Sequence, residues 1–474
     1  MIVDINFVGR DFEIATLNEL LSNNQAELVT VLGRRRVGKT FLIKNALKGK
    51  LDFHFTGVKD ADKDEMLNEF ALKIFEISNG KSNLSIPKTW LEGFRLLRFY
   101  LESIKTKKKK VVFIDELPWL DTHKSGFLPA FEYFWNDWAV NQNIMLVICG
   151  SSTSWMLNNI VNNKAGLHNR ITKYINLQPF TLTETKQLLD AMGCKLPHYE
   201  IIQLYMALGG IPYYLREVKK GDSAVQNIDN LFFKENSTLK NEFQNLYRAL
   251  FDNYEKYETL VKILSQKQKG LTRQEILAAS GFTNGGSLTR MLTELEESSF
   301  VKTYLPFGKT KKETLYRLVD EYSIFYFQFN PSKKKAGSFI QLSTTNKYKS
   351  WAGFAFESLC MKHINKIKAA LGISGIFTTE NSYYYKHQTE GFQIDLLIDR
   401  SDNAINICEA KFYGTEYEIS KKEAQILRHR QEMFRQKTKT KKYLITTLLT
   451  TFGLKTTENS IGIVDKVITM KQLF

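Results

Sequence analysis

The stretch that most restricts how this chain can fold is ELVTVLGRRRVGKTFLIKNAL, residues 27–47. A β-branched apolar run turns at Gly33 and becomes a helical pattern after Gly38, so Gly33–Thr40 is a complete GxxxxGK(S/T) phosphate loop in strand, loop, helix context. Glycines let backbone N–H groups curl around phosphates, and the helix N-terminus adds positive potential. Lys39 reaches the β and γ phosphates, and the Thr40 hydroxyl ligates Mg²⁺. A chance match in a chain this long is on the order of a few per cent before context is counted, and context lowers it. A parallel α/β sheet is therefore expected here.

Such a loop needs a metal-positioning acid at the tip of a buried parallel strand, and KKKKVVFIDELPWL supplies it. Asp115 would hold magnesium through water and Glu116 would activate the attacking water; alone, the segment reads as a core strand and an acidic turn. A further strand, IMLVICGSS, ends at Ser151 and Ser152, either a polar group facing the γ-phosphate or a helix N-cap. In GLHNRITKYINLQPF, Arg170 is either a transition-state arginine, from its own or a neighbouring subunit, or a surface arginine of a basic protein. A trans-acting Arg170 would require a homo-oligomer.

Five stretches, FVGRDFEIATLNELL, VLGRRRVGKTFLI, VVFIDELPWL, ICGSS and GGIPYYL, resemble in order and spacing the archaeal-type ATPases, an AAA+ and STAND-like branch of the P-loop proteins. The resemblance implies a RecA-like P-loop core at residues 1–178, a helical lid at 179–250, and ATP as the nucleotide. It also implies that Gly9 and Arg10 lie by the adenine and that Gly210 and Pro212 pack near the nucleotide. On the residues alone, Gly209, Gly210 and Pro212 read as a turn between helices.

With 474 residues and 43% hydrophobic composition the chain can bury several cores, and the expected architecture is multidomain α/β. A formal charge of +16 favours an anionic partner. Apolar runs such as IMLVIC fall far short of the roughly 20 residues of a spanning helix, so a membrane is not expected and DNA is. The N-terminus carries acids and no basic apolar leader, and four scattered cysteines read as buried thiols; both fit a cytoplasmic protein.

Residues 251–330 read helix, short helix, turn, longer helix and two strands around PFGKTKKE, the order of a winged helix. On DNA it would present Thr289, Arg290, Lys309, Lys311 and Lys312, but Glu294, Glu296 and Glu297 on the third helix leave a protein-spacer role equally open. Pro331 and a lysine-rich, poorly periodic stretch suggest a linker at 331–350.

The last segment, 351–474, contains GFQIDLLIDRSDNAINICEAKF, with Asp395 followed by Glu409-Ala-Lys411. In a lysine-rich chain that spacing arises on the order of once or a few times by chance, so context must decide. Two alternating runs around RSDN make an antiparallel hairpin that returns Asp395 and Glu409 to one end, with Glu409 and Lys411 on one face. Three such charges beside a buried hairpin are costly without an offsetting ion, and carboxylates suit Mg²⁺ or Mn²⁺. Glu357, on the amphipathic helix opening the segment, could complete the shell from the side.

Helix, hairpin, helix and strand resemble the PD-(D/E)xK, restriction-endonuclease-like fold, and the C-terminal domain that commonly follows these ATPases. The resemblance implies that Asp395 and Glu409 hold metal, with the Ala410 carbonyl a further ligand. Lys411 would orient water or stabilise the phosphorane charge, and Glu357 would assist. Gln393 stands where relatives often carry an acid, which puts the strength of the site in doubt. The expectations are an ATP-hydrolysing protein controlling a metal-dependent DNA nuclease, or an ATP switch that regulates DNA or protein binding with a non-cleaving, salt-bridged domain.

Overall fold

The computed structural model describes residues 7–80, 85–162, 166–167, 169–251, 253–334, 337–387 and 390–474. It divides into two compact units, Phe7–Gln178 with Leu246–Tyr254, and Pro179–Asn245 with Glu255–Phe474. In the first, α1 (Asp11–Ser22) precedes β1 (Glu27–Leu32), α2 (Lys39–Ala46), β2 (Phe53–Thr56), α3 (Lys63–Ile77) and α4 (Trp90–Ser103). Then come β3 (Lys110–Asp115), α5 (Phe127–Asp137), β4 (Ile144–Cys149), the short α6 (Thr153–Met156) and β5 (Lys173–Asn176).

The five strands form a parallel sheet in the order β2-β3-β4-β1-β5. Strands β1 and β4 are buried at all six positions, which is why their sequences are continuous apolar runs. Because β4 separates β1 from β3, the carboxyl ends of these three strands bring Gly33, Cys149 and Asp115 to one crevice, where such sheets bind ligands. Beneath it Phe53, Phe70, Trp90, Phe94 and Phe127 interlock, mostly edge to face. Phe70 at the centre is fully buried, so its truncation to alanine should cost about 3–5 kcal/mol.

The second unit opens with α7 (Leu182–Ala191), α8 (His198–Leu208), α9 (Pro212–Leu215) and α10 (Ala224–Phe232); α11 (Glu242–Leu250) and α12 (Tyr254–Gln266) carry the chain out of this unit and back. A capping box between Thr181 and Glu184 starts α7, and Pro212 occupies the first turn of α9, where its missing N–H costs nothing. Next come β6 (Leu271–Thr272), α13 (Arg273–Ser280), α14 (Gly286–Glu297), β7 (Val301–Tyr304) and β8 (Leu315–Leu318), the strands pairing antiparallel as β6-β8-β7.

Residues 331–350 differ from the expected linker. After α15 (Glu321–Phe329) they hold α16 (Ser338–Leu342) and the first turn of α17 (Asn346–Lys362). The cause is aromatic packing: Phe339 is fully buried, with ring centroids 5.5 Å from Phe329 and 5.9 Å from Tyr348. The Asp229 carboxylate accepts from the backbone N–H groups of Gly337 and Phe339 at 2.6 and 2.9 Å and fixes the start of α16.

After α18 (Ile364–Ala370), β9 (Thr378–His387), β10 (Glu390–Arg400), β11 (Ala404–Lys411), α19 (Lys421–Thr438), β12 (Tyr443–Thr450) and β13 (Lys466–Thr469) form a mixed sheet in the order β13-β12-β11-β10-β9. The expected hairpin is β10–β11, but it is flanked by an edge strand, β9, that alternation alone did not reveal. The β9–β10 register slips between Ile394 and Leu397, a bulge that contains Asp395. Bulges re-aim side chains, and this one acts on the acid singled out by sequence.

Candidate functional site

The phosphate loop is shaped by close backbone approach. Gly33 has φ of 136°, and a Cβ there would lie 2.5 Å from the Leu177 carbonyl oxygen, so only glycine lets the loop leave β1 against the end of β5. Lys39 is buried and its Nζ donates to the carbonyls of Gly33 at 2.7 Å and Arg34 at 3.2 Å. Burial lowers its pKa, while Cys149, Glu116 and Asp115 oppose that shift. Phosphate oxygens entering the loop would compete with those carbonyls for the ammonium.

Asp115 is held by three donors. The Thr40 hydroxyl donates to Oδ2 at 2.8 Å, while the Glu116 N–H and the Cys149 thiol donate to Oδ1 at 3.0 and 2.7 Å. A hydroxyl beside a buried carboxylate is the hard oxygen set that suits Mg²⁺, so Thr40 and Asp115 fit the ion that the loop implies. Glu116 adopts a left-handed backbone, φ 49°, unfavourable for a residue with a side chain. Its Oε2 accepts from the Ser151 N–H at 2.8 Å and hydroxyl at 2.7 Å.

Of the two roles that sequence left open for these serines, the N-cap goes to one, and the other binds the neighbouring acid. Ser152 caps α6, its hydroxyl accepting from the Trp155 N–H, and Ser151 holds Glu116. Arg10 donates to the carbonyls of Gln178 at 2.7 Å and Val37 at 3.2 Å, joining the start of α1, next to Gly9, to the phosphate loop and the chain leaving β5. Arg170 is exposed in the turn before β5. Sequence reading missed Cys149 as a partner of Asp115, because a cysteine ending an apolar strand looks like any buried thiol. It also passed over His54, which stacks on Phe113 at 5.0 Å and whose pKa is pushed down to about 4, chiefly by burial.

In the second unit, Gly210 has φ of 67° and its carbonyl accepts from the Phe180 N–H at 2.8 Å; a Cβ on Gly210 would sit 2.2 Å from the Phe180 oxygen. The glycine and Pro212 therefore shape a tight junction between α8 and α9.

The acid cluster lines a cavity of about 580 Å³ that Glu357, Asp395, Glu409, Ala410 and Lys411 share. The register that pairs Leu396 with Cys408 carries Asp395 and Glu409 to the same end of the β10–β11 pair. Each acid faces a cation. Asp395 Oδ1 lies 3.6 Å from Lys269 and accepts from Gln393 at 2.8 Å. Glu409 pairs with Lys411 at 3.1 Å and with Arg430 of α19. Glu357, nine-tenths buried, pairs with the buried Arg317 at 3.1 Å. Burial pushes the Glu357 pKa up to about 7, with Arg317 opposing and Asp395 adding to the shift. Carboxylate oxygens are the donor type that Mg²⁺ and Mn²⁺ take, but each acid has a cationic partner, and among the described residues no three acids, histidines or cysteines gather closely enough to hold a metal ion without a backbone oxygen or water.

The side chains expected on DNA lie on α14 and on the β7–β8 loop. Lys309 bridges Glu313 at 3.0 Å and lies 4.8 Å over the Tyr384 ring, while Lys311, Lys312, Thr289 and Arg290 are exposed. Glu294 is buried and accepts from the Tyr257 hydroxyl, and Glu296 accepts from the Thr303 N–H and hydroxyl at 3.1 and 2.7 Å. Two of the acids thought to spoil a basic face thus serve the module's own packing. All four cysteines are buried free thiols, and among the described residues no helix is long and apolar enough to cross a membrane.

Residues 7–218 match the family model of an ATPase domain predominantly from Archaea. An uncharacterized protein of Methanocaldococcus jannaschii is 25% identical over 418 residues, covering 86% of this chain and 87% of that protein. A second protein of that organism, described as ATP-binding, is 24% identical over 309 residues, covering 56% of this chain and 84% of its own. Among solved structures, a Walker-type ATPase of Pyrococcus abyssi is 19% identical with a TM-score of 0.48, covering 68% of this chain and 97% of that one. The phosphate loop, the parallel sheet and the family match agree: residues 7–218 carry an ATPase domain of the archaeal type.

Proposed function

We propose that this protein binds and hydrolyses ATP and uses the nucleotide cycle to control a C-terminal domain that acts on DNA phosphodiesters. Lys39 would leave the loop carbonyls for the phosphates, and Thr40 and Asp115 would hold Mg²⁺. Glu116, fixed by Ser151, would take the proton of the attacking water. Bound magnesium supplies charge neutralisation on the phosphates. Arg170, exposed, suits a role toward a neighbouring subunit in a homo-oligomer. Gly9 and Arg10 would lie in the surroundings of the nucleotide.

One observation carries the second half of the reading: Asp395, Glu409 and Lys411 line one cavity with Glu357. Asp395, Glu409 and the Ala410 carbonyl would hold Mg²⁺ or Mn²⁺, which when bound polarises a phosphodiester. Lys411 would orient water and Glu357 would assist. The helix and strand order of residues 254–318 supports a winged helix, and the five-stranded mixed sheet supports a nuclease-like domain. The double pairing of Glu409 with Arg430 and Lys411 favours a second reading, a switch whose C-terminal domain binds without cutting.

Cleavage of single- and double-stranded DNA with Mg²⁺ or Mn²⁺, measured with and without ATP for wild type, Lys39→Ala and Lys411→Ala, separates the two. Cutting lost in a folded Lys411→Ala protein supports the nuclease; no cutting under any nucleotide condition leaves the switch.

A further inference from the structure

Outside the acid cluster itself, the cations that meet Asp395 and Glu357 come from a different part of the chain. Lys269 lies between α12 and β6, and Arg317 lies on β8. Arg317 is 5% exposed, and a buried guanidinium is tolerated only with well-placed partners. It finds them on one turn of α17, donating to Glu357 at 3.1 Å, to the Ser358 hydroxyl at 2.6 Å and to the Met361 sulfur at 2.9 Å.

The loop between β7 and β8 reaches the same domain. The Phe307 N–H donates to the Ser382 carbonyl at 2.7 Å, the Asn381 amide donates to the Leu305 carbonyl at 3.0 Å, and the Phe307 and Phe434 rings lie 5.6 Å apart. Ser382 is the β9 residue facing the bulge that aims Asp395. An edge strand of this kind is otherwise open to pairing, and here a loop covers it.

Resting on the metal-dependent reading of this cavity, we propose that residues 254–318 form a latch on the acid site: Lys269 and Arg317 supply the positive charge that a divalent cation would bring to Asp395 and Glu357, and the β7–β8 loop, docked on β9, keeps them there. Glu409's partners, Arg430 and Lys411, belong to the C-terminal domain, so lifting the latch exposes Asp395 and Glu357 and leaves Lys411 in place. The same movement takes Lys309 off the Tyr384 ring, while its ion pair with Glu313 travels with the loop. Metal entry and exposure of the basic loop are then one event.

The test is Mn²⁺ titration of the full chain without nucleotide, read by loss of the free-ion paramagnetic resonance signal. The proteins are wild type, Lys269→Met, the loop-loosening pair Lys309→Ala/Asn381→Ala, and each combined with Asp395→Asn. Circular dichroism melting checks that all are folded. Lys269→Met, at a partly exposed position, should bind Mn²⁺ about two- to fivefold more tightly than wild type, the order expected from removing one surface ion pair. The loop pair should shift in the same direction, and Asp395→Asn should abolish both gains. Equal affinity at an Asp395-dependent site in wild type and variants overturns the latch and leaves the metal reading standing. Absence of Asp395-dependent binding in every variant overturns both.

Discussion

Two groups of carboxylates in this protein are held in opposite ways. Among the described residues, the direct hydrogen bonds to Asp115 and Glu116 come from neutral donors: the Thr40 hydroxyl, the Cys149 thiol, a backbone N–H and Ser151. Glu357, Asp395 and Glu409 each face Lys or Arg. Neutral donors fix a carboxylate's direction while leaving its full charge for a cation. Fixed cations spend that charge, so a metal must first displace them. On the proposed reading the first site would receive an ion with its nucleotide, and the second would exchange one set of positive charges for another.

The largest expected effect tests the first arrangement. Lys39→Ala removes the ammonium folded onto the phosphate loop, and ATP turnover should fall by at least about 10²-fold, the scale of losing a main charge-stabilising group. Steady-state phosphate release checks it, and a melting temperature within a few degrees of wild type shows that the sheet is intact.

The next effect tests the second arrangement through stability. Arg317→Met strands Glu357 in the interior and, at alkaline pH where that carboxyl is ionised, should cost about 3–5 kcal/mol in urea unfolding, the usual penalty for breaking a buried pair. Adding Glu357→Gln removes the uncompensated charge and should restore most of it. If the double variant is as unstable as the single one, Arg317 acts by packing and the contrast between the sites weakens.

A buried titratable group held by neutral partners in the same unit sharpens the contrast. His363 Nε2 accepts from the Leu182 N–H at 3.0 Å, and Nδ1 lies 2.9 Å from the Leu359 carbonyl, an arrangement that requires the neutral ring. Burial pushes its pKa down to about 4, with Lys362 and Lys366 adding to the shift and the Leu359 bond and Glu184 opposing it. Between that value and the ordinary 6.5 the unfolded chain binds a proton that the native one refuses. Stability is therefore full above pH 6.5 and declines as pH falls toward 4, by about 3 kcal/mol at most. His363→Gln, followed by urea unfolding across that range, should flatten this part of the profile.

The legible parts of the fold are those where local pattern and tertiary role coincide. The run LVTVL is apolar because β1 is covered on both faces, and the glycines of the loop are forced by backbone approach, so short-range signals sufficed. The β10–β11 pair was legible from alternation and the RSDN turn. The bulge at Asp395 was not, because it arises from a register slip against β9 that no single strand encodes. The packed helices in 331–350 escaped because the stretch's lysines and Pro331 outweigh Phe339, whose burial depends on distant aromatics. Lys269 and Arg317 were invisible for the same reason: their partners lie 126 and 40 residues away in sequence.

The smallest effect concerns the residue that best represents the neutral-donor arrangement. Glu116 sits in a left-handed conformation that costs of order 1–3 kcal/mol, and two hydrogen bonds from Ser151 hold its carboxylate against that strain. Ser151→Ala removes the hydroxyl bond and keeps the backbone one, so the carboxylate should lose aim and not charge. A hydrogen bond to a charged group contributes about 1.5–3 kcal/mol, and with one of two retained kcat for ATP should fall about tenfold. KM should stay near wild type, because the hydrogen bonds of Ser151 go to Glu116. Ser151→Thr, which restores a hydroxyl, should recover most of the rate. If KM rises instead and threonine fails to rescue, Ser151 contacts the nucleotide directly, and the acid is held in place by its strand alone.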